Sequence, residues 1–185
     1  MTDRADLVFV GGPVHTVNAT DDMVEAVAVA NGRILAVGGN ADIRALAGSG
    51  TRVIELRGRS LLPGFIDAHC HFASVGAAMD AVDCSDAPIT HYAPLFGIEQ
   101  ALTRRTMDGD VCGPKVRVDL RTAIRMHTIN GAHAAFDEQI KGSLEPGKLA
   151  DLVVLAEDVT RVPAERIRQV GVAMTVVGGE IAYEA

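Results

Sequence analysis

Apolar residues are concentrated in short runs along the first part of the chain. Four such runs, rich in residues that favour strands, span residues 7–10, 14–17, 25–30 and 33–38. Gly11, Gly12 and Pro13 separate the first two runs and predict a hairpin with a loose turn. Asn31-Gly32 separates the next two and predicts a tight type I′ hairpin, because both central positions of that turn need a positive φ.

A short helix and further extended chain follow. Asn40 is the predicted N-cap of a helix over residues 41–47, which Gly48 ends. Residues 51–56 then form a strand, and residues 60–72 run extended.

The middle of the chain is predicted to be helical. Apolar residues recur at helical spacing over residues 94–106, and Pro94 suits the first turn of such a helix. Asp119 is the predicted cap of a second helix that reaches about residue 128, where Asn130-Gly131 interrupts it.

The last part of the chain returns to strands. Pro146-Gly147 predicts a type II turn, and residues 150–155 are apolar on both faces, as a buried strand is. Residues 163–168 form a helical turn, and Gly178-Gly179 closes a final hairpin between residues 170–177 and 180–183.

The pattern therefore predicts a mixed α and β fold. Neither end has enough strands for a stable sheet alone, so we expect residues 1–63 and 137–185 to pair in a composite β-sandwich. Residues 64–136 form a separate, largely helical part.

Composition excludes several classes of function. The formal net charge is −7 and the arginines are scattered, so no basic face for nucleic acid is expected. No apolar run approaches the roughly 20 residues of a membrane helix. The three cysteines follow no pairing or zinc-ribbon spacing, which predicts a reducing, cytoplasmic setting.

The candidate chemistry begins at His69-Cys70-His71. Residues i and i+2 of a strand point to one face, so two neutral imidazoles at this spacing can hold one metal ion. The same spacing also arises in ordinary surface or core histidines, and the pair alone does not separate these alternatives.

Longer runs around this pair carry a family resemblance. They are residues 61–71, residues 85–88 with 94–98 and 103–104, residues 128–132, residues 142–155 and residues 176–179. Together, in this order, they resemble the amidohydrolase superfamily, in its amidohydrolase-3 branch that includes formamide deformylase-like enzymes. Residues 61–71 resemble the first strand of that family's TIM-type barrel, and residues 85–88 the segment after its eighth strand.

The resemblance implies a site and a reaction. His69 and His71 would bind a divalent metal, with zinc the expected ion. Asp86 would be both a metal ligand and the catalytic group that takes a proton from the attacking water. The implied reaction is hydrolysis of non-peptide carbon–nitrogen bonds in a small amide-like molecule. Asp86 is alternatively a loop carboxylate that caps the turn at Pro88.

Most of the barrel is missing from this arrangement. Fourteen residues separate His71 from Asp86, whereas a complete barrel takes about 250 residues. Residues 64–136 are therefore a truncated barrel remnant. Apolar residues that lack their barrel partners, such as Phe65 and Ile66, should be exposed unless they repack. They predict a homo-oligomer or an aggregation-prone monomer.

Three hypotheses follow. The chain is a truncated hydrolase with residual metal-dependent activity, or a catalytically inactive remnant that folds as a β-sandwich or oligomerisation module. A third is a split enzyme whose missing strands come from another chain.

Overall fold

The computed structural model describes residues 4–67, 93–105 and 109–185. The strands are β1 (Ala5–His15), β2 (Met23–Ala30), β3 (Arg33–Gly38), β4 (Ala47–Glu55), β5 (Leu61–Pro63), β6 (Leu152–Leu155), β7 (Val172–Val177) and β8 (Glu180–Glu184). The α-helices are α1 (Asn40–Arg44), α2 (Pro94–Thr103), α3 (Leu120–Met126) and α4 (Ile129–Ala134). Short 3₁₀ helices span Pro114–Val116, Val159–Arg161 and Ala164–Gln169.

The eight strands form one hydrogen-bonded sheet that branches at β1. The strand order is β3-β2-β1-β5-β6-β7-β8, and β4 pairs with β1 in parallel beside β5. The β5–β6 pairing joins the first part of the chain to the last, as the sequence predicts. The predicted mixed fold with a composite β domain is therefore confirmed.

The sheet folds over itself into two layers. Inward residues of β1 and β2, such as Phe9 and Val27, share one buried cluster with Val154 of β6 and Met174 of β7. The strands β2 and β7 are far apart in the strand order, so their side chains meet only because the two layers face each other. This is the packing of a β-sandwich.

The outer faces of the two layers are also covered. On β1, Val8 and Val10 point away from the central cluster and pack with Ile43 of α1. On β6, Val153 and Leu155 pack with residues of α2 and α3. The helices α2 and α3 therefore lie on the outer face of β6. The chain that leaves β5 towards His69 passes between this face and the helices.

The predicted hairpin over residues 7–17 is wrong. These residues lie in the single strand β1, which pairs with β2 on both sides of a register shift between Val10 and Val14. Gly11 takes a φ of +77°, and an added Cβ on Gly12 would lie 2.5 Å from the carbonyl oxygen of Arg59. The Gly-Gly-Pro segment bends the strand without reversing it.

The predicted cap at Asn40 is also wrong. Gly39 precedes the helix α1, which ends at Arg44 and not at Gly48. The Asn40 side chain accepts a hydrogen bond from the Gly11 backbone N–H at 2.7 Å and donates one to Glu25 at 2.9 Å. Its role is to hold the bend of β1.

Several local predictions are confirmed. Asn31 and Gly32 both have positive φ in the β2–β3 hairpin. Pro94 begins α2, and the Asp119 carboxylate accepts a hydrogen bond from the Thr122 backbone N–H at 2.7 Å.

Among the described residues, no helix is long and apolar enough to cross a bilayer.

Candidate functional site

The predicted site residues His69, His71 and Asp86 lie outside the described residues, and so does His91. Their roles stay predictions. What the structure describes is the chain that leads to them and the elements that hold it.

The chain after β5 is fixed to β6 by its backbone. Pro63 pairs with Leu152, and the Gly64 N–H donates to the Asp151 carbonyl oxygen at 2.8 Å. An added Cβ on Gly64 would lie 3.3 Å from the Asp151 side chain. Glycine therefore lets the two backbones approach closely as the chain leaves the sandwich.

A second backbone contact follows two residues later. The Ile66 N–H donates to the carbonyl oxygen of His127 at 2.8 Å, at the end of α3. A Cβ on Gly131 would lie 2.7 Å from the Ile66 carbonyl oxygen, so only glycine fits at this place in α4. The chain that leads to His69 is thus held between the sandwich and the helices.

His127, whose carbonyl oxygen accepts the Ile66 N–H, also carries a titratable side chain. Its ring packs over Gly97 of α2, where an added Cβ would lie 2.7 Å from Cε1. Burial lowers the pKa of His127, and the nearby carboxylate of Asp67 opposes this shift by raising it. The imidazole is therefore neutral near pH 7 and keeps a lone pair, the form that binds metals or accepts protons. We call Asp67, Gly97 and His127 the strand exit.

The sequence alone does not link Asp67 with His127. Fifty-nine residues separate Asp67 from His127, and neither lies in a motif that links them. The helical spacing of Leu120, Ile124 and His127 was the one available signal, because it predicts that His127 faces the same way as a buried apolar stripe.

The described residues include two other histidines, His15 and His133. His15 borders a cavity of about 210 Å³ between the end of β1 and α3. Burial lowers its pKa while Asp158 raises it, and its buried Nε2 has no hydrogen-bond partner within the described structure. His133 is exposed and lies 3.5 Å from a carboxylate oxygen of Glu138.

Within residues 4–67, 93–105 and 109–185, no three His, Cys, Asp or Glu side chains come together as a metal site. Zinc sites use three or four protein ligands. The strand exit offers one imidazole, that of His127, and one carboxylate, that of Asp67.

The polar residues of the 142–155 run have a structural role. Lys148 Nζ donates to Ser143 Oγ at 2.6 Å and pairs with Glu145 at 2.9 Å, while the Ser143 hydroxyl donates to the same carboxylate. The Ser143 hydrogen bond lowers the pKa of Glu145, with a smaller contribution from Lys148. These contacts hold the turn that leads into β6.

Comparison with known proteins agrees with this architecture. The Amidohydrolase family (Amidohydro_3) matches residues 83–183. N-substituted formamide deformylase of Arthrobacter pascens is 39% identical over 89 residues, which cover 48% of this chain and 16% of the deformylase. Imidazolonepropionase of Solibacter usitatus is 40% identical over 107 residues, which cover 56% of this chain and 24% of that enzyme.

A solved structure shows the same fold. An adenosine deaminase from Xanthomonas campestris, crystallised with bound zinc, superposes with a TM-score of 0.64 at 12% identity. The superposition covers 100% of this chain and 94% of that one. The matches to the two curated relatives span at most 24% of those enzymes' length. The match to the family, which extends over more than half of the chain, shows that this protein belongs to the amidohydrolase family.

Proposed function

We propose that this chain serves the metal-dependent hydrolysis of non-peptide carbon–nitrogen bonds in small amide-like or formamide-like molecules. In this proposal His69 and His71 bind a divalent metal, zinc being the expected ion, and Asp86 completes the ligand set. The observation that supports the proposal best is that backbone hydrogen bonds hold the chain shortly before His69 in place. The hydrogen bonds of Gly64 and Ile66 fix this chain to the sandwich and to α3.

The physical reason is preorganisation. The ligands of a metal site must be held within about half an ångström of the positions that the metal requires. A loop without further contacts does not hold them so closely. Here two backbone hydrogen bonds of 2.8 Å and two close approaches at Gly64 and Gly131 hold the chain up to Ile66. His69 follows three residues later and His71 two after that.

The chemistry divides between the metal and the protein. A divalent ion, when bound, lowers the pKa of its water from about 15.7 toward 7. Asp86 is the proposed acceptor of the proton from that water. The neutral His127 ring, which the Asp67 carboxylate influences, is a basic group of the strand exit. The amide-like substrate class is suggested by the relative named N-substituted formamide deformylase.

The cellular setting is part of the proposal. The one cysteine in the described structure, Cys112, is an exposed free thiol. Such a thiol is more compatible with a reducing cytoplasm than with an oxidising compartment.

Metal content tests the proposal. We expect close to one divalent ion per chain by elemental analysis of the purified protein. His69→Ala, His71→Ala and Asp86→Ala should each reduce this content at least tenfold. His133→Ala is the matched control, because His133 is exposed and its ring lies 3.5 Å from the carboxylate of Glu138. Formamides and simple amides are then assayed with the loaded protein.

A second function is favoured by the completeness of the sandwich. Both of its outer faces and its central cluster are packed within the described residues. The fourteen residues between His71 and Asp86 leave no room for a barrel of about 250 residues. In this alternative the chain is a non-catalytic β-sandwich module. Metal-free protein that folds as stably as metal-treated protein would support the module and contradict the hydrolase.

A further inference from the structure

A cavity of about 210 Å³ lies where the end of β1 meets the first turns of α3. Its lining comes from these two elements, from the connection between β1 and β2, and from the 3₁₀ helix Val159–Arg161. All of these segments belong to the described part of the chain. The volume is smaller than the roughly 300–1,000 Å³ of pockets for drug-sized ligands, so the cavity suits a smaller molecule.

Two residues of the lining have a backbone conformation that is rare outside glycine. Val17 has a φ of +55° and Asp21 a φ of +52°. For a β-branched residue such as Val17, a positive φ is a genuine outlier. Arg125 holds this segment, because its guanidinium donates to the Asn18 carbonyl oxygen at 2.9 Å and to the Asp21 carboxylate at 2.6 Å. Residues held in such conformations cluster at ligand clamps and other functional positions.

A buried polar atom of the lining lacks a partner. Nε2 of His15 is buried and has no hydrogen-bond partner within the described structure. Buried side-chain nitrogens without a partner are rare in folded proteins, and each one calls for a physical reason. The unusual backbone and the unpartnered imidazole nitrogen belong to residues of one cavity, and this coincidence singles the cavity out as a binding site.

Three carboxylate or guanidinium groups line the cavity, and two of them have bonding capacity left. Asp21 is neutralised by Arg125 at 2.6 Å. Asp22 accepts two hydrogen bonds at its Oδ2, and within the described structure it accepts none at its Oδ1. The Nε of Arg121 lies 3.9 Å from Asp21, beyond hydrogen-bond distance, and its side chain is 68% exposed. One carboxylate and one guanidinium are therefore available to a bound molecule.

The other polar groups around the cavity are engaged within the protein. Asp158, the carboxylate that acts on the imidazole of the lining, lies 3.2 Å from the Arg161 Nε. The hydroxyls of Thr16 and Thr160 donate to a carbonyl and a carboxylate oxygen, respectively. Asp119 caps α3. A ligand with one charge would pair with only one of the two available groups, whereas a ligand with both charges pairs with both.

The rest of the lining is largely apolar. It includes Val17, Met23, Leu120 and Ile124. Val17 and Ile124 are buried, with exposed fractions of 4% and 3%. The cavity therefore combines one free anion, one free cation and an apolar wall.

We propose that this cavity binds a small α-amino acid with an apolar side chain. The ammonium group of the ligand pairs with Asp22, its carboxylate pairs with Arg121, and its side chain contacts the apolar wall. A guanidinium suits this role because it binds a carboxylate through two parallel hydrogen bonds. The proposal depends neither on metal binding at His69 nor on the proposed hydrolysis.

Isothermal titration calorimetry of the full chain with L-valine, L-leucine and L-methionine tests this proposal. At least one of the three should bind the wild type with a dissociation constant below about 1 mM. Two analogues of the tightest binder are then titrated, the acid without the amino group and the amide without the free carboxylate. Each should bind at least about tenfold more weakly, because each loses one charge-assisted contact.

Two variants assign the contacts. Asp22→Asn and Arg121→Gln should each weaken binding of the amino acid at least about tenfold. Arg121→Gln should bind the amide analogue as the wild type does, since that analogue has no carboxylate to lose. Arg121 is exposed, so this variant should also melt with the wild type.

Arg166→Gln is the matched control. Arg166 is exposed and does not line the cavity, so its loss should leave binding unchanged. No binding of any of the three amino acids at about 10 mM overturns the proposal. Unchanged binding in Asp22→Asn or in Arg121→Gln also overturns it, and would place the amino acid on another surface.

Discussion

Glu99 of α2 holds Arg168 by two contacts. One carboxylate oxygen accepts a hydrogen bond from the Arg168 backbone N–H at 3.0 Å, and the other lies 3.3 Å from its Nε. Glu99 is 5% exposed. This contact fastens the helical layer to the 3₁₀ helix Ala164–Gln169, and through it to the sandwich.

Removal of this carboxylate should destabilise the protein. Glu99→Ala leaves a backbone N–H without its acceptor and should lower the free energy of unfolding by about 1–3 kcal/mol, measured by urea titration. Arg166→Ala is the control. The exposed Arg166 side chain lies 3.6 Å from Glu157, and its removal should change stability by less than about 0.5 kcal/mol. Equal losses in the two variants would contradict the role of Glu99.

The ends of the two layers meet at Gly32 and Gly179. Gly179 has a φ of +81°, and an added Cβ would lie 2.8 Å from the Gly32 Cα. Gly179→Ala should therefore cost about 2–4 kcal/mol, through both backbone strain and overpacking. Gly147→Ala has a similar positive φ but open space around it, and should cost about 1 kcal/mol.

Thermal or urea unfolding of the two alanine variants separates the two effects. Both variants carry the backbone strain of a positive φ, and only Gly179→Ala adds a steric overlap. If Gly179→Ala costs no more than Gly147→Ala, the two hairpins do not approach as closely as the structure shows.

The buried histidines should make stability depend on pH. Burial lowers the pKa of both His15 and His127 below 6.5, so the unfolded chain binds protons that the folded chain does not. Their contribution is complete above about pH 6.5 and is lost as the pH falls below it, by up to about 1.4 kcal/mol per pH unit for each group.

Urea unfolding between pH 5 and 8 measures this dependence. His127→Gln should reduce the slope, while His133→Gln, a change at an exposed residue, should leave it unaltered. An unchanged slope in His127→Gln would contradict the burial of that ring.

The cap of α3 offers a local test. Asp119→Ala removes the acceptor of the Thr122 N–H and should cost about 1 kcal/mol. Asp119→Asn keeps an acceptor oxygen and should lose less. The hydrogen bond from Thr122 lowers the pKa of Asp119 below 3.8, so the cap's contribution is present above that pH and declines as the pH falls through the folded pKa. Circular dichroism with urea titration at pH 7 and pH 3 checks both points.

Elements decided by neighbouring residues were predictable from sequence. The Asn31-Gly32 hairpin, the helix that begins at Pro94 and the cap at Asp119 all depend on backbone preferences within three or four residues. The family resemblance was also readable from the sequence. The short runs that carry it, from residues 61–71 to 176–179, occur in the family's order even though most of the barrel between them is missing.

Contacts between distant segments were decided only by the tertiary structure. Gly11 bends β1 instead of reversing it because Asn40, far along the chain, accepts its N–H. Asp67 and His127 meet because α3 packs on the outer face of β6, which no local pattern encodes. A sequence determines which conformations each short segment prefers. Which segments become neighbours depends on the burial of apolar surface across the whole chain, and that decided the surroundings of the candidate site.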